Sequence, residues 1–301
     1  MIRTKAGAAG LSIVSNSVLI GMKLVAGAIT GSIAILTEAI HSFIDLLASV
    51  VAFLSVRKAD EPADEGHPYG HARMENLAAA FEGTLILIVA GIIVYEATRR
   101  LVTGGEVSSL GVGIAVIAFA AVANLVISAF LYRRAREHDS PALAGDAAHL
   151  RTDAATSAGV LVGLALVEIT GEPAFDAIAA LVVAIAIVVA GLRILLRSGR
   201  VLVDEAPPPE ELDRIEAAIA AARTPEIAGY HRLRARRAGA VRHVDLHVQF
   251  RSGTTLERAH SLAHELRSAI ERELGGAEVL IHVEPEAHAE PHGHDRPLRR
   301  G

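Results

Sequence analysis

The chain has 301 residues, 51% of them hydrophobic, and a mean hydropathy of +0.40, which excludes an ordinary soluble domain of this size and fits a membrane protein with a soluble extension. The net charge of −5 is small and the basic residues lie at helix ends and in the C-terminal third, not in an aromatic-interleaved patch, so nucleic acid is not an expected partner. With no Cys in the chain, disulfides and thiolate metal sites are excluded.

Six apolar stretches are long enough to cross a bilayer, which takes about 20 residues each. They cover residues 11–29, 33–56, 77–95, 110–131, 146–167 and 175–195. Asn16 and Lys23 interrupt the first, and no cleavage site follows it, so it reads as a retained helix rather than a signal peptide. With the N-terminus inside, the inner loops carry Arg3, Lys5, Arg57, Lys58, Arg73, Arg133, Arg134, Arg136, Arg197 and Arg200, and the outer loops only Arg99 and Arg100. The positive-inside rule then puts both termini in the cytoplasm of an integral inner-membrane protein.

An ionisable side chain in the middle of a spanning helix costs roughly 2.5–3.5 kcal/mol, so each needs a reason to be there. The second stretch carries a polar stripe of Thr37, Glu38, His41, Ser42, Asp45 and Ser49, and the fifth one of Asp146, His149, Asp153, Thr156 and Ser157. His41/Asp45 and His149/Asp153 share a spacing of four, which places each pair one turn apart on one helix face. The second helix runs inward and the fifth outward, so the pairs meet at similar depth, and two imidazoles with two carboxylates form a tetrahedral zinc-type set. A helix-to-helix hydrogen-bond network without an ion is the alternative reading. Asn16, Lys23, Glu82 and Asn124 read instead as packing or interfacial snorkelling residues.

The loop after the second helix holds Asp64, His67 and His71, a further candidate cation site at the inner mouth. The run Pro207-Pro208-Pro209 ends the membrane part, and from about residue 210 the pattern is helix, strand, strand, helix, strand. Leu256, Ala259, Leu262, Ala263, Leu266, Ile270 and Leu274 form an apolar stripe on the second of these helices. His243, Asp245 and His247 alternate with Val244, Leu246 and Val248, so a strand there buries the aliphatics and presents the polar three; His282 and Glu284 alternate likewise with Ile281 and Val283. His231 and His260 are further candidate ligands from a neighbouring strand and helix, although histidines on a sheet surface are commonly only solvated. The tail, with His288, His292 and His294, has no apolar period and is expected to be disordered. The expected domains are therefore a six-helix transmembrane domain at 1–205, a small α+β sandwich at 206–286 and the tail at 287–301.

Taken together, the stretch Gly31-Ser32-Ile33-Ala34 leading to His41 and Asp45, the loop His67-Pro68-Tyr69-Gly70-His71-Ala72-Arg73-Met74-Glu75, Asp146 to Asp153, and His231 through His247 and His260 to His282-Val283-Glu284-Pro285 resemble the cation diffusion facilitator family over almost the whole chain. The resemblance implies a homodimer whose cytoplasmic domain is ferredoxin-like, exporting a divalent metal against inward proton flow by alternating access. It implies a transport site of His41, Asp45, His149 and Asp153 and a loop site of Asp64, His67 and His71. It further implies cytoplasmic ligands His231, His247, His260, His282 and Glu284, and a hinge salt bridge between Arg73 and Asp204. The chain departs from the family in having Glu at 284 and 38, where Asp is usual or frequent, and in lacking a His-rich loop between helices four and five, where only His138 stands.

Imidazole nitrogen suits zinc and other late divalent ions, so the ligand set favours Zn2+ as substrate and as structural or regulatory ion, with no organic cofactor. Export of Co2+, Cd2+, Fe2+ or Mn2+ is the nearest alternative. A membrane metal sensor without flux is a further reading. A metallohydrolase is disfavoured because four protein ligands close the zinc sphere and no His-Glu-x-x-His is present, so the chain is expected not to be an enzyme.

Overall fold

The computed structural model describes residues 4–30, 33–103, 111–172 and 174–286. The chain divides into two compact units, Met1–Arg200 and Val201–Gly301.

The first unit is helical. Its elements are α1 (Lys5–Thr30), α2 (Ile33–Ala59), α3 (Met74–Thr103), α4 (Gly111–Glu137), α5 (Pro141–Thr170) and α6 (Ala174–Leu202). Each is 26 to 30 residues long, about 40 Å at 1.5 Å per residue, which exceeds a hydrocarbon core of roughly 30 Å. Among the described residues, α1, α3, α4, α5 and α6 are long and apolar enough to cross a membrane. The side chains of residues 33–41, at the start of α2, lie outside the described residues, and so do the residues of the tail.

Local chemistry sets the helix ends. The fifth helix begins at Pro141, five residues ahead of the expected start, because Ser140 caps it: its hydroxyl accepts the Leu143 N–H at 3.3 Å, and proline occupies the first helical position, where no N–H is needed. The helix ends where Gly171 takes a φ of 74° and donates its N–H to the Val167 carbonyl at 2.8 Å. Arg57 and Lys58 close α2, and Arg134 and Arg136 close α4, cations placed where the helix dipole is negative.

Large aliphatic and aromatic side chains such as Val18, Phe43, Leu54, Ile92, Val126 and Val182 point outward, whereas alanines such as Ala9, Ala52, Ala79, Ala142 and Ala147 fill the interior. Lipid is as apolar as leucine, so the helices associate through close packing of small residues rather than through a hydrophobic gradient. Gly159 shows how close: a Cβ there would stand 2.7 Å from Cγ2 of Val183 on α6.

The second unit is an α+β sandwich: α7 (Pro209–Ala221), β1 (Ile227–Ala238), β2 (Val241–Phe250), α8 (Leu256–Leu274) and β3 (Ala277–Pro285). The sheet order is β1-β2-β3, antiparallel between β1 and β2 and parallel between β2 and β3, with α8 as the crossover a parallel pair requires. Val244, Leu246, Val248 and Phe250 meet Leu262, Leu266 and Ile270 of α8 and Ile215 and Ile219 of α7 in one core. The apolar stripe of α8 is buried from Ala259 onward, but Leu256, the first helical residue after the Thr255 cap, is 77% exposed and takes no part in it. His243, expected on the open face of the sheet, is buried there with its Nδ1 3.2 Å from Glu278.

Leu266→Ala is expected to cost the soluble unit about 2–5 kcal/mol, as truncation of a buried leucine leaves a cavity. Leu256→Ala should stay within about 0.5 kcal/mol of the parent, the range of exposed sites. Denaturant unfolding followed by far-ultraviolet circular dichroism distinguishes the two.

Candidate metal centres

The membrane cluster sits between α2 and α5. On α5 the four-residue spacing puts His149 and Asp153 on one face, and His149 Nε2 lies 4.0 Å from Asp153 Oδ2. Across the helix contact the same Nε2 is 3.1 Å from Asp45 Oδ1 on α2. Asp45 and His149 are buried, Asp153 nearly so, and one ligand atom from each lies within 4.8 Å of the others. Ligand atoms around a tetrahedral zinc-type ion stand about 3.4 Å apart when bonds are roughly 2.0–2.2 Å, so these three need only small movements to close on one ion. His41 stands one turn before Asp45 in α2, but its side chain lies outside the described residues, as do those of Thr37 and Glu38.

A hydrogen-bonded layer lies beside this cluster. Asp146 Oδ1 accepts from Ser12 Oγ at 3.1 Å and from Ser49 Oγ at 3.0 Å, and Asn16 Nδ2 donates to Ser49 Oγ at 2.9 Å, so α1, α2 and α5 are joined through polar atoms. Lys23 is a packing residue, its Nζ donating to Ser42 Oγ at 2.6 Å. Of the packing and snorkelling readings for Glu82, its full burial fits packing, yet neither carboxylate oxygen has a hydrogen-bond partner.

The loop cluster is organised by Asp64. Its Oδ1 accepts the His67 N–H at 2.6 Å, and its Oδ2 lies 3.3 Å from His71 Nε2, bringing the His67 and His71 rings to 4.4 Å between centroids. The backbone N–H of His67 holds the Asp64 carboxyl below its usual range, so it is available as an anion for a cation. Beyond this loop, Lys5 Nζ bridges Asp60 at 2.5 Å and Glu75 at 2.9 Å, and Ser140 Oγ donates to the other oxygen of Glu75. Sequence reading assigned no role to Glu75; the signal was a carboxylate in the first turn of a membrane helix, just ahead of its apolar run.

In the soluble unit the strand register aligns His231, His247 and His282 in one row across β1, β2 and β3. Glu284 joins them: Oε2 is 2.8 Å from His231 Nε2, and Oε1 is 2.6 Å from His247 Nδ1 and 3.6 Å from His282 Nε2. His260 stands apart on the exposed face of α8, its ring 4.5 Å from that of His264. Arg73 lies in the turn before α3, and Asp204 takes a salt bridge from Arg236 at 3.1 Å within the soluble unit.

A bundle of long apolar helices with a buried cluster of candidate metal ligands, joined to a small sandwich with a candidate ligand row of its own, is the architecture of a membrane carrier of metal cations. Residues 10–203 match the cation efflux transmembrane domain, and residues 207–286 the cytoplasmic domain of cation efflux proteins. The chain belongs to the cation efflux family, the cation diffusion facilitators. It is 33% identical over 275 residues to the uncharacterized transporter sll1263 of Synechocystis, covering 91% of this chain and 88% of that protein. It is also 33% identical over 269 residues to the cation-efflux pump FieF of Klebsiella pneumoniae, covering 89% of each. A solved structure of CzrB in its Zn form is 37% identical over 29% of this chain and 98% of its own, with a TM-score of 0.27. The chain is thus a divalent cation efflux transporter of the membrane, from a family of transporters rather than enzymes.

Burial raises the Glu284 carboxyl, but hydrogen bonds from His231 and His247 outweigh it and hold the group below the ordinary 4.5. A depressed carboxyl contributes stability in full above its unfolded value and loses it as pH falls through the native value. In metal-free buffer the melting temperature of the soluble unit is expected to fall below about pH 4.5, and Glu284→Gln should flatten that decline. An equal decline in the variant would remove Glu284 as its source.

Proposed function

We propose that this chain is a Zn2+/H+ antiporter that exports metal from the cytoplasm, working as a homodimer by alternating access. The observation that carries the reading is the buried meeting of Asp45 with His149 and Asp153 across α2 and α5. Two carboxylates and neutral imidazole around a divalent ion form a formally neutral site, the least costly way to hold such an ion in low dielectric. Without the ion the same atoms accept protons, so metal and proton compete for one site, and that competition is the chemical minimum for exchange.

Nitrogen in the ligand set favours Zn2+ over Mn2+, which prefers oxygen alone. His41 completes the proposed set from α2. The name cation-efflux pump carried by the FieF relatives supports outward movement of metal, and the cationic loop ends support cytoplasmic termini. The loop cluster is proposed to gather metal at the inner mouth. The row of His231, His247, His282 and Glu284 is proposed to bind cytoplasmic metal and stabilise the dimer, with His260 as an additional ligand. Arg73 and Asp204 are retained as the proposed hinge pair.

Zinc uptake into proteoliposomes is expected to depend on a pH gradient and to vanish in Asp45→Ala/Asp153→Ala, while the variant stays a folded dimer by size exclusion. Gradient-dependent flux at the parent rate in that variant would exclude the site. His149→Asp is expected to move preference from Zn2+ toward Mn2+ in competition flux, and an unchanged order of metals would refute the ligand argument.

A further inference from the structure

Glu82 is a fully buried carboxylate on a membrane helix, and the proposed transport site does not use it. An ionisable group at that depth costs several kcal/mol unless something satisfies it. Neither of its oxygens has a hydrogen-bond partner, nor does Oδ2 of the equally buried Asp146. Among the described residues neither side chain is paired with a lysine or arginine, and the electrostatic partners of Glu82 are Asp146 and His149.

A glycine on α5 lets the Glu82 carboxylate approach the backbone beside Asp146. Glu82 Oε2 rests against α5 at Gly145, the residue next to Asp146, where a Cβ would stand 2.8 Å from that oxygen. Any other residue at 145 would push the carboxylate away. Asp146 is held by Ser12 and Ser49, which donate to Oδ1 and leave Oδ2 without a hydrogen-bond partner. Asp146 precedes His149 by three residues on α5, about 4.5 Å at 1.5 Å each.

We propose that Glu82 and Asp146, with the hydroxyls of Ser12 and Ser49 beside them, form a second intramembrane position for a divalent cation, one step from the His149 cluster. Rising along α5 from Asp146 to His149, a metal ion passes from oxygen donors alone to a set that contains nitrogen. Oxygen-only sites suit hard ions and hold zinc more loosely than imidazole does, so this position passes the ion on rather than retaining it. The inference rests on the reading of α2 and α5 as the cation path.

The test is equilibrium metal binding to the full-length protein in detergent, with Mn2+ and Zn2+ as probes, on the Asp45→Ala/Asp153→Ala background. Adding Glu82→Gln is expected to remove one class of bound metal, or to weaken it about ten- to hundredfold, and to leave the melting temperature unchanged. Ser12→Ala/Ser49→Ala, which keeps both carboxylates but frees Asp146, should weaken the same class and serves if Glu82→Gln does not fold. Unaltered stoichiometry and affinity in a folded Glu82→Gln protein overturn the proposal, because a carboxyl that is only packed or protonated loses no metal on becoming an amide. Absence of flux in the parent protein would instead defeat the antiporter reading while leaving the binding result to stand.

Discussion

The low dielectric of the helical bundle governs the rest of this structure. A charge inside it must meet an opposite charge, a set of donors or an ion, and several buried polar groups of the bundle are placed accordingly, Glu82 being an exception. Ser12 and Ser49 converge on one oxygen of Asp146, and Asn16 donates to Ser49 behind them. Lys23 is met by Ser42, and His149 lies between Asp45 and Asp153. The outward surface carries no such requirement and is filled with valine, leucine, isoleucine and phenylalanine.

Much of this was legible in the sequence because the two periodicities are clear. The four-residue spacing of His149 and Asp153 and the stripe from Asp45 to Ser49 fixed which faces of α2 and α5 meet, and the alternation from His243 to Val248 fixed which face of β2 enters the core. Helix limits were less legible: a window of apolar residues does not register the Ser140-Pro141 cap, which starts α5 ahead of its apolar run. Glu82 was visible as a lone carboxylate in an apolar helix, but its placement depends on Gly145, sixty-three positions away in sequence by the residue numbers. Periodicity along one helix carries no information about which glycine of another will face it.

The soluble unit uses a different principle. There the sheet positions ligands by register, so that His231, His247 and His282 align because β1 pairs antiparallel and β3 parallel with β2. A slip of one residue in either pairing would turn a histidine into the aliphatic core. The buried Val244, Leu246 and Val248 therefore hold the ligand row in place by making that slip costly.

The tie formed by Lys5, Asp60, Glu75 and Ser140 has a mechanical side. It gathers the start of α1, the loop after α2, the first turn of α3 and the cap of α5 at one end of the bundle, with Glu75 wholly enclosed. Helices fastened at one end cannot part there without stranding a buried carboxylate. Their freedom is that of spokes on a hub: the far ends can fan or tilt, and displacement grows with distance from the knot.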